Sequence, residues 1–174
     1  MIELYNPHRY LKPSLVDQCF IDGKTLSINK QLCGNGLSTA FFNIKPSLGK
    51  VNILIAPNKA FVEEKEKDYK KNPHKYGHHR IKFFYNETKE YDFNNADILV
   101  FVADSFWHRR ESLSSIAYRV EKVLIDEIHS TYQQSFEFRF ILQDFVNKVK
   151  KVFKYPFTAI STATATPMLF SKSD

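Results

Sequence analysis

From residue 25 onward, short apolar runs alternate with longer amphipathic stretches, the pattern of β-α-β units around a mostly parallel sheet. Leu26, Ile28 and Leu32 alternate with polar positions and predict a strand over 25–32. VNILIAP (51–57) predicts a second strand and RIKFFY (80–85) a short third. ADILVFVAD (96–104) is apolar at nearly every position, as suits a strand covered on both faces. EKVLIDE (121–127) is a further strand ending in two carboxylates, and FTAISTATATP (157–167) is a last one that breaks into a loop at Pro167. Helices are expected over 37–44, 58–70, 105–118 and 135–153. In the last of these, Phe138, Ile141, Leu142, Phe145 and Val149 fall at helical spacing and should face the sheet. Ahead of the repeating pattern, Asp22-Gly23 is a two-residue hairpin signal that would pair 17–21 with the strand from residue 25.

Length narrows this to one domain: 174 residues, 43% of them hydrophobic, can bury a real core. A net charge of +6 permits a polyanionic partner such as nucleic acid, and equally describes a soluble protein rich in lysine. The two cysteines, Cys19 and Cys33, fit no metal-ligand spacing and read as free thiols of a reducing compartment. No apolar signal core or membrane-length run is present, so a soluble, intracellular (cytoplasmic) protein is expected.

Three stretches carry candidate chemistry. CGNGLST (33–39) follows a strand and opens a helix, the arrangement that holds phosphate against backbone N–H groups. Gly34 and Gly36 supply the tight path, Asn35 lies between them, and Ser38, followed by Thr39, stands where a hydroxyl would ligate Mg²⁺. A glycine turn before an ordinary helix has the same look. VLIDEIH (123–129) delivers Asp126 and Glu127 to the carboxyl end of the sheet, where ligands of open α/β sheets bind. There an aspartate can hold Mg²⁺ through water and a glutamate can orient an attacking water. TATATP (162–167) offers hydroxyls to His129 or to the acid pair, or is a threonine-rich strand exit.

Taken in order, these stretches resemble the first RecA-like domain of superfamily 2 helicases and translocases, the DEAD-like group of DExH type. CGNGLST resembles motif I, ILIAPNKAFV (53–62) motif Ia, ILVFVADSF (98–106) motif Ib, VLIDEIHS (123–130) motif II and TATP (164–167) motif III. The resemblance implies a RecA-like P-loop NTPase fold over 25–174, with 1–24 as an N-terminal segment carrying the hairpin strand. It implies ATP and Mg²⁺ as cofactors, bound by Gly34, Asn35, Gly36, Leu37, Ser38 and Thr39, with Ser38 and Asp126 at the metal and Glu127 positioning the hydrolytic water. It further implies that His129, Thr164 and Thr166 couple nucleotide state to nucleic-acid grip, and that Pro57, Asn58, Lys59 and Ser105 lie near the backbone of bound DNA or RNA.

Two departures shape the expected activity. Leu37 fills the place of the motif I lysine, whose charge neutralises the β- and γ-phosphates. Lys45 is eight residues further on, about 12 Å along a helix axis, too far for a direct swap. Family members also close their site with a second RecA-like domain, and the sequence stops just past the motif III-like segment. The chain is therefore expected to be the first motor domain of a larger ATP-dependent helicase, with weak or no hydrolysis on its own. The alternative is a non-catalytic RecA-like module that binds nucleic acid or a protein. The basic loop KKNPHKYGHHR (70–80) could touch phosphate or be a solvated loop, and Trp107 beside Arg109 and Arg110 could contact a strand or cap the core.

Overall fold

The computed structural model describes residues 10–20, 25–29, 36–56, 58–85, 92–126, 147–153 and 157–162. Six strands form one sheet: β1 (Thr25–Asn29), β2 (Val51–Ala56), β3 (Ile81–Phe84), β4 (Ile98–Val102), β5 (Val120–Ile125) and β6 (Phe157–Thr162). Their order across the sheet is β1-β6-β5-β2-β4-β3, and every pairing is parallel. One row of register partners crosses all six strands: Ser27, Ile160, Ile125, Ile55, Phe101 and Phe84. The carboxyl ends of the strands therefore share one edge. The fold is the expected α/β architecture, a parallel sheet with helices on both faces.

Parallel strands need crossovers, and right-handed crossovers decide which face each helix covers. From β1 the chain moves across the sheet through α2 (Leu37–Phe42) to β2, then through α3 (Lys59–Lys71) and a 3₁₀ turn, Pro73–Tyr76, to β3. These segments pack on one face, where Leu37, Phe41, Phe42, Val62 and Tyr76 join Leu54, Val100 and Leu124 from the strands. From β3 the strand order runs back, so α4 (Ala103–His108), α5 (Arg110–Ser115) and the helical residues 147–152 cover the other face. Phe106, Leu113, Val149 and Phe153 there meet Ile53, Ile55, Phe101, Val123 and Ile125. With both faces covered, β2 is buried at all six positions, which is why its sequence reads as a continuous apolar run.

Three expectations are corrected. Residues 13–17 form a short helix, α1 (Pro13–Asp17), and 18–20 are not strand, so the hairpin partner expected over 17–21 is absent through residue 20. Pro13 at the first helical position suits a helix start, and Val16 and Phe20, four apart, face the α2 cluster. β1 takes its hydrogen bonds from β6 instead. The helix expected over 105–118 is two short helices broken at Arg109, followed by a 3₁₀ turn at Ala117–Arg119. Loop 70–80 contains the 3₁₀ turn at Pro73–Tyr76, closed by Gly77 at φ 64°. Of the helix expected over 135–153, only its carboxyl end falls within the described residues.

Candidate nucleotide site

Asp126 is placed by β5. Its N–H donates to the Ile55 carbonyl at 2.9 Å, one residue beyond the row that crosses the sheet. Strand alternation turns successive side chains to opposite faces. Ile125 joins the cluster under α4, while Leu124 faces α2. Asp126 therefore follows Leu124 to the α2 face, and there it lines a cavity while being only 4% exposed.

Gly36 places the opposite wall. It is the residue before α2, in the left-handed region at φ 78°, which an L side chain adopts only with strain. Its carbonyl accepts from Ala40 N–H at 2.8 Å and starts the helix. A Cβ built at Gly36 would sit 3.4 Å from Cδ1 of Tyr10, so the Tyr10 ring lies directly against the turn.

Between these walls lies a cavity of about 730 Å³, within the roughly 300–1,000 Å³ of small-ligand and cofactor sites. Gly36, Leu37, Ser38 and Thr39 line it with Asp126. These are five of the residues singled out in the sequence, brought together across 90 positions of chain. The oxygen donors here, the Asp126 carboxylate and the Ser38 hydroxyl, are the hard ligands that suit Mg²⁺ in company with phosphate. Leu37 is 2% exposed and packs in the cluster with Phe41, Leu54 and Leu124.

The same cavity has a wall that the sequence pattern did not disclose: Tyr10, Leu11, Asn43, Phe61, Lys65 and Lys75. Asn43 ties its lower end, its side-chain amide donating to the Thr39 carbonyl at 2.9 Å and to the Lys75 carbonyl at 2.8 Å. Lys65 rests its Nζ 5.3 Å from the centre of the Phe61 ring.

The remaining expected residues divide as follows. Asn58 caps α3, its side-chain oxygen accepting from Phe61 N–H at 2.9 Å, and Lys59 pairs with Glu63 at 3.6 Å. Both sit at the carboxyl edge of the sheet, just past β2. Ser105 is buried in α4, its carbonyl accepting from Arg109 Nη1 at 3.1 Å. Trp107 is half-buried, with the Arg110 guanidinium 4.6 Å and the Lys148 Nζ 4.8 Å from its ring centre. Gly34, Asn35, Pro57, Glu127, His129, Thr164 and Thr166 lie outside the described residues.

The model of the family described as "Type III restriction enzyme, res subunit" matches residues 35–168, well over half of the chain. The chain belongs to this family, a superfamily 2 helicase domain. Among solved structures it is similar to the DUF1998 helicase MrfA, at 15% identity and a TM-score of 0.62, over 94% of this chain and 27% of that one. It is similar to Dbp5 of S. cerevisiae bound to RNA and ADP BeF3, at 12% identity and a TM-score of 0.54, over 85% of this chain and 38% of that one. The UvsW helicase of bacteriophage T4 matches at 12% identity and a TM-score of 0.54, over 94% of this chain and 56% of the helicase. This chain thus spans between about a quarter and just over half of these helicases. No curated protein matches it. Among the described residues, no helix is long and apolar enough to cross a membrane.

Proposed function

We propose that this chain is the nucleotide-binding first motor domain of a DExH-type helicase or translocase, taking ATP with Mg²⁺ in the cavity between Gly36 and Asp126. The observation that carries the reading is that Asp126, at the end of β5, and Ser38, in the first turn of α2, line one cavity of about 730 Å³. Asp126 and Ser38 would hold the metal, which when bound offsets phosphate charge. Gly36 keeps the turn open to the phosphates. Glu127, next in the chain, would orient the attacking water, and His129 with Thr164 and Thr166 would link the nucleotide to the nucleic-acid surface. Pro57, Asn58, Lys59 and Ser105 would border that surface at the carboxyl ends of β2 and β4. MrfA has been seen with DNA and AMPPNP, and Dbp5 with RNA and ADP BeF3, which supports a nucleotide and a nucleic acid as ligands here. Hydrolysis would need a second RecA-like domain as partner.

Leu37 favours a second reading, a RecA-like module that binds nucleic acid or a protein without turning over ATP. Its side chain lies in the apolar cluster, where it offers phosphate neither charge nor donor. The two readings separate in a titration of the chain with a fluorescent ATP analogue, with and without Mg²⁺. Binding that needs Mg²⁺ and disappears in Asp126→Ala supports the nucleotide site. Absence of binding in the wild type, with gain in Leu37→Lys, leaves the non-catalytic module.

A further inference from the structure

The charge missing at Leu37 leaves a question that the cavity itself answers. Three walls meet there: the turn into α2, the Asp126 end of β5, and the face of α3 that carries Phe61 and Lys65. We infer that Lys65 supplies the positive charge to the nucleotide phosphates that the residue at position 37 does not, an inference that rests on the nucleotide reading above.

α3 begins at the carboxyl edge of the sheet, because its cap Asn58 lies just beyond β2, which ends at Ala56. Helical side chains lean toward the amino end of their helix. Lys65 does so, folding back over Phe61, four residues nearer that edge. Its ammonium is thus carried along the cavity wall toward the level of Gly36 and Asp126, not away from it.

Two other α3 lysines are held by carboxylates one turn away, Lys59 by Glu63 at 3.6 Å and Lys70 by Glu66 at 3.0 Å. Among the described residues no carboxylate pairs with Lys65, whose ammonium rests on an aromatic face instead. A cation on a ring can turn to a phosphate without first breaking an ion pair, and its aliphatic stem stays packed.

Lys75, the other lysine of the cavity, fits less well. It pairs with Asp68 at 3.6 Å and is joined to the far end of α2 through Asn43. Seven residues separate Asn43 from Gly36, so that end is about 10 Å below the turn.

The test is a binding titration of the whole chain with a fluorescent ATP analogue and Mg²⁺, with adenosine as a competitor that lacks phosphate. The proteins are wild type, Lys65→Met, Lys65→Gln, Lys75→Met, Leu37→Lys and the Leu37→Lys/Lys65→Met pair, each first checked for an unchanged circular dichroism spectrum. Loss of at least about tenfold in ATP affinity in both Lys65 variants is expected, with adenosine competition unchanged and a clearly smaller loss in Lys75→Met. The pair should recover most of the loss, because a lysine at position 37 supplies the same charge. Lys65 variants that bind ATP as wild type does, or a loss shared equally by Lys75→Met, overturn the role of Lys65 and leave the nucleotide site standing. A wild type that fails to bind while Leu37→Lys binds also overturns it, since the charge would then be uncompensated. Failure of wild type and Leu37→Lys alike removes the nucleotide reading, and this inference with it.

Discussion

Leu37 and Asp126 face one cavity from opposite kinds of environment. Leu37 is held among Phe41, Leu54 and Leu124, whereas Asp126 is a buried carboxylate at a strand end. A lysine at position 37 must leave its stem in that cluster and extend its ammonium into the cavity that Leu37 lines. Leu37→Lys should therefore melt below wild type without ligand, by an amount equivalent to about 1–3 kcal/mol. Thermal melts with and without nucleotide and Mg²⁺ check this, because a bound triphosphate should return part of the loss. Asp126 was legible in the sequence, since an acid that ends an apolar strand of a parallel sheet reaches the edge where ligands bind. Tyr10, Phe61, Lys65 and Lys75 were not. Nothing local marks them, and only the packing of three separate segments around α2 brings them to one wall. On the other face, Phe101 stacks on Phe84 at 4.8 Å between ring centres and meets Phe93 and Phe106 edge-on. Phe101→Ala should lower the free energy of unfolding by about 3–5 kcal/mol in a urea titration.

Elements follow the pattern wherever one signal dominates. The buried runs of β2, β4 and β5 exclude any solvent-facing alternative, and each lies within two residues of its expected bounds. Around residue 13 two weak signals competed. Asp22-Gly23 argued for a hairpin, but Pro13 and the spacing of Val16 and Phe20 serve a helix that docks on α2. Phe20, just past that helix, packs on Phe41 with ring centres 5.7 Å apart. Caps were easier to read. Asn58 precedes α3 and bonds the Phe61 N–H, so Asn58→Ala should cost about 1 kcal/mol in urea denaturation. Gly36→Ala is strained by its φ of 78° whatever the space around it, and should cost about 1–2 kcal/mol by the same measurement.

For the whole molecule, acid is the most direct perturbation. Burial pushes the Asp97 carboxyl up, but hydrogen bonds from the Arg80 side chain and N–H, with the guanidinium charge, outweigh it and hold it below its usual 3.8. Glu121 behaves likewise: burial raises it, while Lys122 and the Ser47 N–H bring it below its usual 4.5. A carboxyl depressed in the folded chain stabilises it above the unfolded pKa, and that stability is lost as pH falls through the folded value. Stability should therefore hold near neutrality and fall below about pH 4, and Asp97→Asn should flatten the fall in urea titrations run across that range.

The order of the strands also sets an order of assembly. β1 is the first strand in the chain, yet its only partner among the described strands is β6, more than 120 residues later. Until that late strand arrives, β1 has no partner among the described strands, while β2 to β5 can already pair with one another. Closing so long a loop is entropically slow. During synthesis the β2–β5 body should therefore form first, and the two walls of the cavity should come into register only as residues 157–162 leave the ribosome. Pulsed hydrogen exchange during refolding would show it as late protection of 25–29 and 157–162 together, behind the amides of β2 and β4.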